Sequence, residues 1–255
     1  MPLKIVTVPC LSDNYAFLLH DPVSGCTALV DAPEAPPIQA ELDHRGWHLR
    51  DILITHHHAD HTDGVEALRA ASGARVIGAA ADAHRLPPLD LELRDGDSVE
   101  VCGETAHVLD VSGHTVGHVA FHFPASGAAF TADSLMVLGC GRVFEGTMEQ
   151  MWNSLCRLAA LPPETQVFSG HEYTMTNANF AVTIEPDNAA LISRKAAVER
   201  DRAIGKPTVP SLLSDELATN PFLRASRPEV KIAMGMADAV DSEVFAEIRR
   251  RKDRF

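Results

Sequence analysis

The sequence predicts an α/β (α+β) protein with layered sheets and a helical C-terminal subdomain. Three observations point that way: ten short β-type runs fill the first two thirds, helical periods lie between them, and the β-type runs stop near residue 173. The expected strands are 3–8, 15–19, 27–30, 51–55, 75–77, 98–101, 106–111, 118–123, 128–131 and 166–169. Turn residues such as Asp95-Gly96-Asp97 and the run from Pro124 to Gly127 separate them. Helical patterns fall near 36–45, 63–72 and 148–160. Beyond residue 173 the segments 174–184, 188–204, 211–217, 228–236 and 240–252 are helical, divided at Glu185-Pro186-Asp187, Gly205 to Pro207 and Asn220-Pro221.

A chain of 255 residues with 45% hydrophobic and 22% charged residues can bury a sizeable core without staples. No apolar run approaches the roughly 20 residues of a membrane helix. The opening Met1-Pro2-Leu3-Lys4-Ile5 lacks the pattern of a secretory signal, so a soluble cytoplasmic protein with no membrane partner is expected. The five cysteines are odd in number, widely spaced and without a Cys-x-x-Cys pair. That argues against a disulfide framework and a zinc ribbon, and most should be buried small hydrophobes. A net charge of -13 makes a nucleic-acid partner unfavourable, since phosphates would be repelled. One basic run, Arg249 to Arg254, stands against that balance.

The run Thr55-His56-His57-His58-Ala59-Asp60-His61 follows the apolar stretch 51–54. It places several imidazoles and a carboxylate on one loop. Nitrogen and oxygen donors without thiolate suit zinc, iron or manganese. A strand that ends at Ile54 and opens into a turn directs His56 and His58 to the same side, with Asp60 and His61 within reach of a second ion. Alternation turns His57 away.

Three other apolar runs end in a possible ligand: His114 after 108–111, Asp133 after 129–132, and His171 after 167–170. Taken singly, each is more often a hydrogen-bonded loop residue. Together with the first run they supply two sets of about four ligands sharing one oxygen bridge, which suits two ions a few ångströms apart. His118, four residues beyond His114, reads as structural or as support for a ligand.

The pattern Thr-His-x-His-x-Asp-His and the His, Asp and His positions that follow resemble the metallo-β-lactamase superfamily. The resemblance implies a four-layer αβ/βα sandwich with a dinuclear site at one edge. Gly139 to Thr147, Gly170 to Thr174, Phe180 to Pro186, Pro207 to Pro210, Asn220-Pro221-Phe222 and the terminal basic run are similar to the glyoxalase II (hydroxyacylglutathione hydrolase) family, over nearly the whole chain. That resemblance implies a catalytic domain over 1–173 and a helical substrate-binding subdomain over 174–255. It assigns His56, His58 and His114 to one divalent ion, Asp60, His61 and His171 to the other, and Asp133 to both, with zinc first among the metals. Asp60 would also orient the attacking hydroxide.

The implied reaction is hydrolysis of S-(2-hydroxyacyl)glutathione thioesters such as S-D-lactoylglutathione, the second step of methylglyoxal detoxification, in a monomer. Glutathione carries two carboxylates and one ammonium, so an acidic protein needs local cations. Arg142, Arg249 and Lys252 match the family's basic positions, and Tyr173 its hydroxyl contact. Phe144 stands where a second tyrosine is common, which removes a hydrogen bond and keeps ring packing. Ala132 stands where glycine is usual, which is conservative unless the position needs positive φ. The rival readings are a glutathione persulfide (sulfur) dioxygenase with one iron, which lacks the helical extension, a superfamily lactonase or RNA-processing nuclease, and a non-catalytic metal- or thiol-binding module.

Overall fold

A computed structural model describes residues 2–255, which form two compact units. The first comprises the described residues to Asp110 together with Val116–Thr131. Its elements are β1 (Lys4–Cys10), β2 (Asn14–His20), β3 (Cys26–Val30), α1 (Ala35–Arg45), β4 (His48–Leu53), α2 (Ala59–Thr62), α3 (Val65–Ser72), β5 (Arg75–Ala79), β6 (Leu91–Leu93), β7 (Ser98–Val101), β8 (Glu104–Asp110), β9 (Val119–Phe123) and β10 (Ala128–Ala132).

One sheet runs β1-β2-β3-β4-β5-β6. The first three strands pair antiparallel through short turns, and β3 to β6 pair parallel. Parallel neighbours need crossovers, and the helices supply them: α1 joins β3 to β4, and α3 lies between β4 and β5. Ile38 and Leu42 of α1 and Val65 and Leu68 of α3, at i,i+4 and i,i+3 spacing, pack with Leu18, Leu29, Ile52 and Val76. Strand β2 is buried along its whole length, which explains why Asn14–His20 shows no polar alternation. The parallel pairing Val30↔Leu53 sets the residue after β3, Asp31, beside the His-rich run after β4.

The second unit, Val111–Thr115 with Ala132–Phe255, holds β11 (Leu135–Met136), β12 (Gly139–Cys140), α4 (Met148–Ala159), β13 (Gln166–Ser169), α5 (Thr174–Ile184), α6 (Ala189–Ala203), β14 (Ser211–Leu212), α7 (Leu213–Thr219), α8 (Pro228–Met234) and α9 (Asp241–Asp253). The second sheet has the order β14-β13-β10-β9-β8-β7. Helix α4 starts at a reciprocal cap: the Thr147 hydroxyl accepts from Gln150 N, and the Gln150 side chain accepts from Thr147 N.

Several short elements differ from the sequence expectation, among them the single-turn helix α2 inside the run read as a turn. The β11–β12 hairpin and β6 are too short for periodicity to register, and β14 occupies the first two residues of the segment read as helix 211–217. The cysteine expectation is also corrected, because Cys26 and Cys102 are disulfide-bonded with Cα atoms 5.1 Å apart across a separation of 76 residues.

Glu216 organises the second unit. Its carboxylate is fully buried and accepts from Leu138 N at 2.9 Å, Ser211 Oγ at 2.7 Å, Asn220 Nδ2 at 3.0 Å and the Arg194 guanidinium. Asn220 also donates to Met136 O and Gly139 O, and Asn177 donates to Val137 O. The β11–β12 hairpin thus hangs from α5 and α7 by buried hydrogen bonds. Glu216→Ala leaves Arg194 charged and those donors unsatisfied. It should lower unfolding free energy by about 3–5 kcal/mol in urea titration, and a loss below about 1 kcal/mol would contradict this role.

Candidate metal centre

In the first unit the ligand loop is held from below by Asp31, which is buried after β3. Its Oδ1 accepts from Thr55 N at 2.9 Å, and its Oδ2 accepts from Thr55 Oγ1 and from His61 Nδ1, both at 2.8 Å. The Thr55 hydroxyl proton is therefore committed to Asp31, so Thr55 Oγ1 accepts from His56 Nδ1 at 3.0 Å. Both imidazoles carry the proton on Nδ1, and each presents the Nε2 lone pair as a donor atom. His56 Nε2 lies 3.1 Å from His58 Nδ1. The Asp60 Oδ2 that lies 3.8 Å from His61 Nε2 accepts from Asn14 Nδ2 at 3.1 Å.

His57 turns away, as alternation expects, and its Nδ1 meets Asp82 Oδ2 at 2.9 Å. Asp82 is fully buried, accepts from Arg85 Nε at 2.9 Å, and lies so near Gly117 that a Cβ there would sit 2.7 Å from its carboxyl carbon. It fastens the His-rich loop to the loop that precedes β9. His118, fully buried, stacks on His56 with ring centres 4.6 Å apart.

In the second unit His114 and His171 converge on Asp133, each with Nε2 3.4 Å from Asp133 Oδ2. His114 Nδ1 donates to Arg142 O at 2.8 Å, which again turns Nε2 to the centre. Gly141 explains why that carbonyl can approach: a Cβ there would lie 2.0 Å from Asp133 O and 3.0 Å from His114 Nδ1. Ala132, just before Asp133, has φ +40°, so the position does need positive φ and the substitution for glycine is not conservative.

The donor atoms of His56, His58 and His114 lie within 4.8 Å of one another, as do those of His56, His61 and Asp133, and those of Asp60, His61 and His171. Each of the seven residues expected as ligands falls in at least one of these three groups. The spacing fits ions: two ligands bound tetrahedrally at about 2.0–2.1 Å are about 3.4 Å apart, the distance from Asp133 Oδ2 to each histidine. His56 Nε2 and His58 Nδ1, 3.1 Å apart, are likewise close enough to serve one cation. The donor set suits divalent metal.

The expected substrate-binding residues all belong to the second unit. Tyr173 stacks on His171 at 4.6 Å, Phe144 packs on His114 at 5.2 Å, and both rings are exposed. Arg142 is exposed, with Nε 3.8 Å from Asp253. The Lys252 ammonium donates to Thr176 O at 3.2 Å and lies over the Phe180 and Phe255 rings; burial, with Arg249 and Arg142 nearby, pushes its pKa down to about 8. Arg249 stands apart. It is 3% exposed, it donates to Cys140 O at 2.8 Å and to Asp253 at 3.0 and 2.9 Å, and it lies over Phe222. Its guanidinium ties α9 to the β11–β12 hairpin.

Sequence reading missed Asp31 and Asp82. Asp31 carried the same signal as Asp133, a carboxylate at the end of an apolar run, whereas Asp82 lies in a short turn 25 positions from the histidine it holds.

Two six-stranded sheets with histidine and aspartate donors at their strand ends fit the metallo-β-lactamase class of proteins, and residues 13–171 match the metallo-beta-lactamase superfamily. Among solved structures, the BLEG-1 B3 metallo-beta-lactamase shares the fold, with a TM-score of 0.68 at 19% identity over 86% of this chain and 99% of that one. Another, solved in a di-iron-bound form, has a TM-score of 0.61 at 25% identity over 86% of this chain and 100% of that one. Residues 172–255 match the hydroxyacylglutathione hydrolase C-terminus. A hydroxyacylglutathione hydrolase of Cereibacter sphaeroides is 66% identical over 255 residues, covering 100% of both chains. The chain belongs to the hydroxyacylglutathione hydrolase family of that superfamily.

Because Asp31 sets the tautomer of His61 directly and of His56 through Thr55, Asp31→Asn should weaken metal binding about 10–100-fold in chelator competition. Retention of wild-type affinity would show that the tautomers are fixed elsewhere.

Proposed function

We propose that this protein hydrolyses S-(2-hydroxyacyl)glutathione thioesters, S-D-lactoylglutathione among them, to the hydroxy acid and glutathione. The observation that carries the reading is the convergence of all seven nitrogen and oxygen donors in a chain whose C-terminal third matches the hydroxyacylglutathione hydrolase C-terminus. In this reading His56, His58 and His114 hold one divalent ion, Asp60, His61 and His171 the other, and Asp133 both. Residues 1–173 act as the catalytic domain and 174–255 as the substrate-binding subdomain.

The bound ions would lower the pKa of a water to about 7 and polarise the thioester carbonyl. The protein's own groups do the rest. Asp60, fixed through Asn14, orients the attacking oxygen by accepting its proton. The Nδ1 protons of His56, His61 and His114 are held on Thr55, Asp31 and Arg142 O, so each ring turns Nε2 toward the centre. No serine or cysteine nucleophile is required. The exposed Arg142 and the half-buried Lys252 supply positive charge for the glutathione carboxylates, Tyr173 offers a hydroxyl, and Phe144 offers a ring face only. Arg249 acts through Cys140 and Asp253, by positioning α9.

The C-terminal match favours this reading over an iron dioxygenase. Metal analysis of the purified protein with anaerobic turnover of S-lactoylglutathione tests it. About two metals per chain with oxygen-independent hydrolysis is expected, and one iron with oxygen consumption on glutathione persulfide would overturn it.

Lys252 gives the pH dependence a sign. Its ammonium, lowered to about 8, loses its charge as pH rises through that value, so KM for the anionic substrate should climb above about pH 8 while kcat holds. Lys252→Arg should move the rise to higher pH, and an unmoved profile would exclude Lys252. Phe144→Tyr restores a hydroxyl beside the substrate path and should lower KM about 3–10-fold; an unchanged or higher KM would show that the ring alone matters.

A further inference from the structure

We propose that Cys26 and Cys102 form a reversible thiol–disulfide site, reduced and re-formed by small thiols and small disulfides of the glutathione class. Cys102 is the first of two residues joining β7 to β8, where Val101 pairs with Glu104. It has φ +49° and Gly103 has φ +79°. Such a two-residue turn favours Asn-Gly, because both positions need left-handed backbone. A cysteine there stands in a conformation it rarely adopts, in a turn closed by the β7–β8 pairing, and its sulfur is bonded to Cys26. Cys26 opens β3 just after the turn at Gly25. The bridge therefore joins a strand of one sheet to a hairpin of the other within the first unit.

The two sulfurs differ in access. A surface cleft of about 910 Å³ is lined by Asp21, Cys26, His48, Arg50, Arg75 and Cys102. Cys26 is partly exposed to it, whereas Cys102 is buried. An incoming thiolate attacks Cys26 Sγ. The disulfide breaks, a mixed disulfide forms on Cys26, and Cys102 leaves as a thiolate that takes up a proton. A second thiolate attacks the small-molecule sulfur of the mixed disulfide, giving the small disulfide and the Cys26 thiolate. The sum is one protein disulfide plus two small thiols going to two protein thiols plus one small disulfide, and it reverses when the small disulfide is in excess.

The bridge lies at the strand ends remote from the ligands. Strand β3 must run its length, roughly 16 Å at about 3.3 Å per residue, before it reaches Asp31. The exchange is therefore expected to change stability and leave the metal centre alone. In the reduced protein the chain between the cysteines gains unfolded-state freedom, and the melting temperature should fall by roughly 5–10 °C.

The test equilibrates the holoenzyme in buffers of varied glutathione to glutathione disulfide ratio, quenches with acid, alkylates the thiols and reads intact mass and melting temperature. In oxidising buffer, two of the five cysteines should escape alkylation together, leaving Cys10, Cys140 and Cys156 labelled. Excess glutathione should restore all five thiols, lower the melting temperature and leave kcat/KM unchanged. Cys102→Ser should retain one glutathione on Cys26, and Cys26→Ser should melt at one temperature in every buffer. Five labelled cysteines at every ratio, or a wild-type melting temperature indifferent to reduction, would overturn the proposal.

Discussion

The centre rests on one electrostatic constraint: imidazole lone pairs and carboxylate oxygens crowded together out of water. Asp133 Oδ2 is 3.4 Å from two imidazole nitrogens, two donor nitrogens of His56 and His58 are 3.1 Å apart, and His56 and His61 are fully buried. A buried anion is stable only when paired, and a histidine whose Nδ1 proton is engaged elsewhere turns a lone pair, not a donor, toward the centre. Divalent cations resolve both difficulties, and much of the surrounding architecture keeps those acceptors aimed inward.

That aim is achieved by the same device at three points. Each of three proposed ligand histidines has its Nδ1 proton fixed by a buried or backbone oxygen: His56 on Thr55, itself bound to Asp31, His61 on Asp31, and His114 on Arg142 O. The oxygens come from different levels of the fold. Asp31 is delivered by parallel pairing of β3 with β4, and Arg142 O by the hairpin that Glu216, Asn220 and Asn177 suspend from the helices. The helical region therefore supports the metal ligands as well as carrying the basic residues, and Arg249, read from sequence as a substrate contact, belongs to that support.

How much of this was legible in the sequence depends on how local the signal is. The proposed ligands were legible because the run Thr55 to His61 and the single residues His114, Asp133 and His171 each follow an apolar stretch, and the long strands and helices because their periods span several residues. The two-residue strands β11, β12 and β14 are shorter than any period. Asp31 had the ligand signal but no partner nearby in sequence, and Asp82 acts across 25 positions with no pattern at all. The Cys26–Cys102 bond joins turns 76 residues apart, which spacing rules do not reach. Arg249 was read as a substrate contact because it lies in a terminal basic run. Its neighbours Phe245 and Ile248, fully buried on the same helix, are what turn it inward.

In the proposed centre Asp133 is shared by two ions. Anomalous scattering from crystals of the metal-loaded protein measures this directly. Two peaks about 3.5–4 Å apart are expected, both within bonding distance of Asp133 oxygens, with His114 on one and His171 on the other. A single peak in protein loaded with excess metal, or two peaks of which only one touches Asp133, would contradict it.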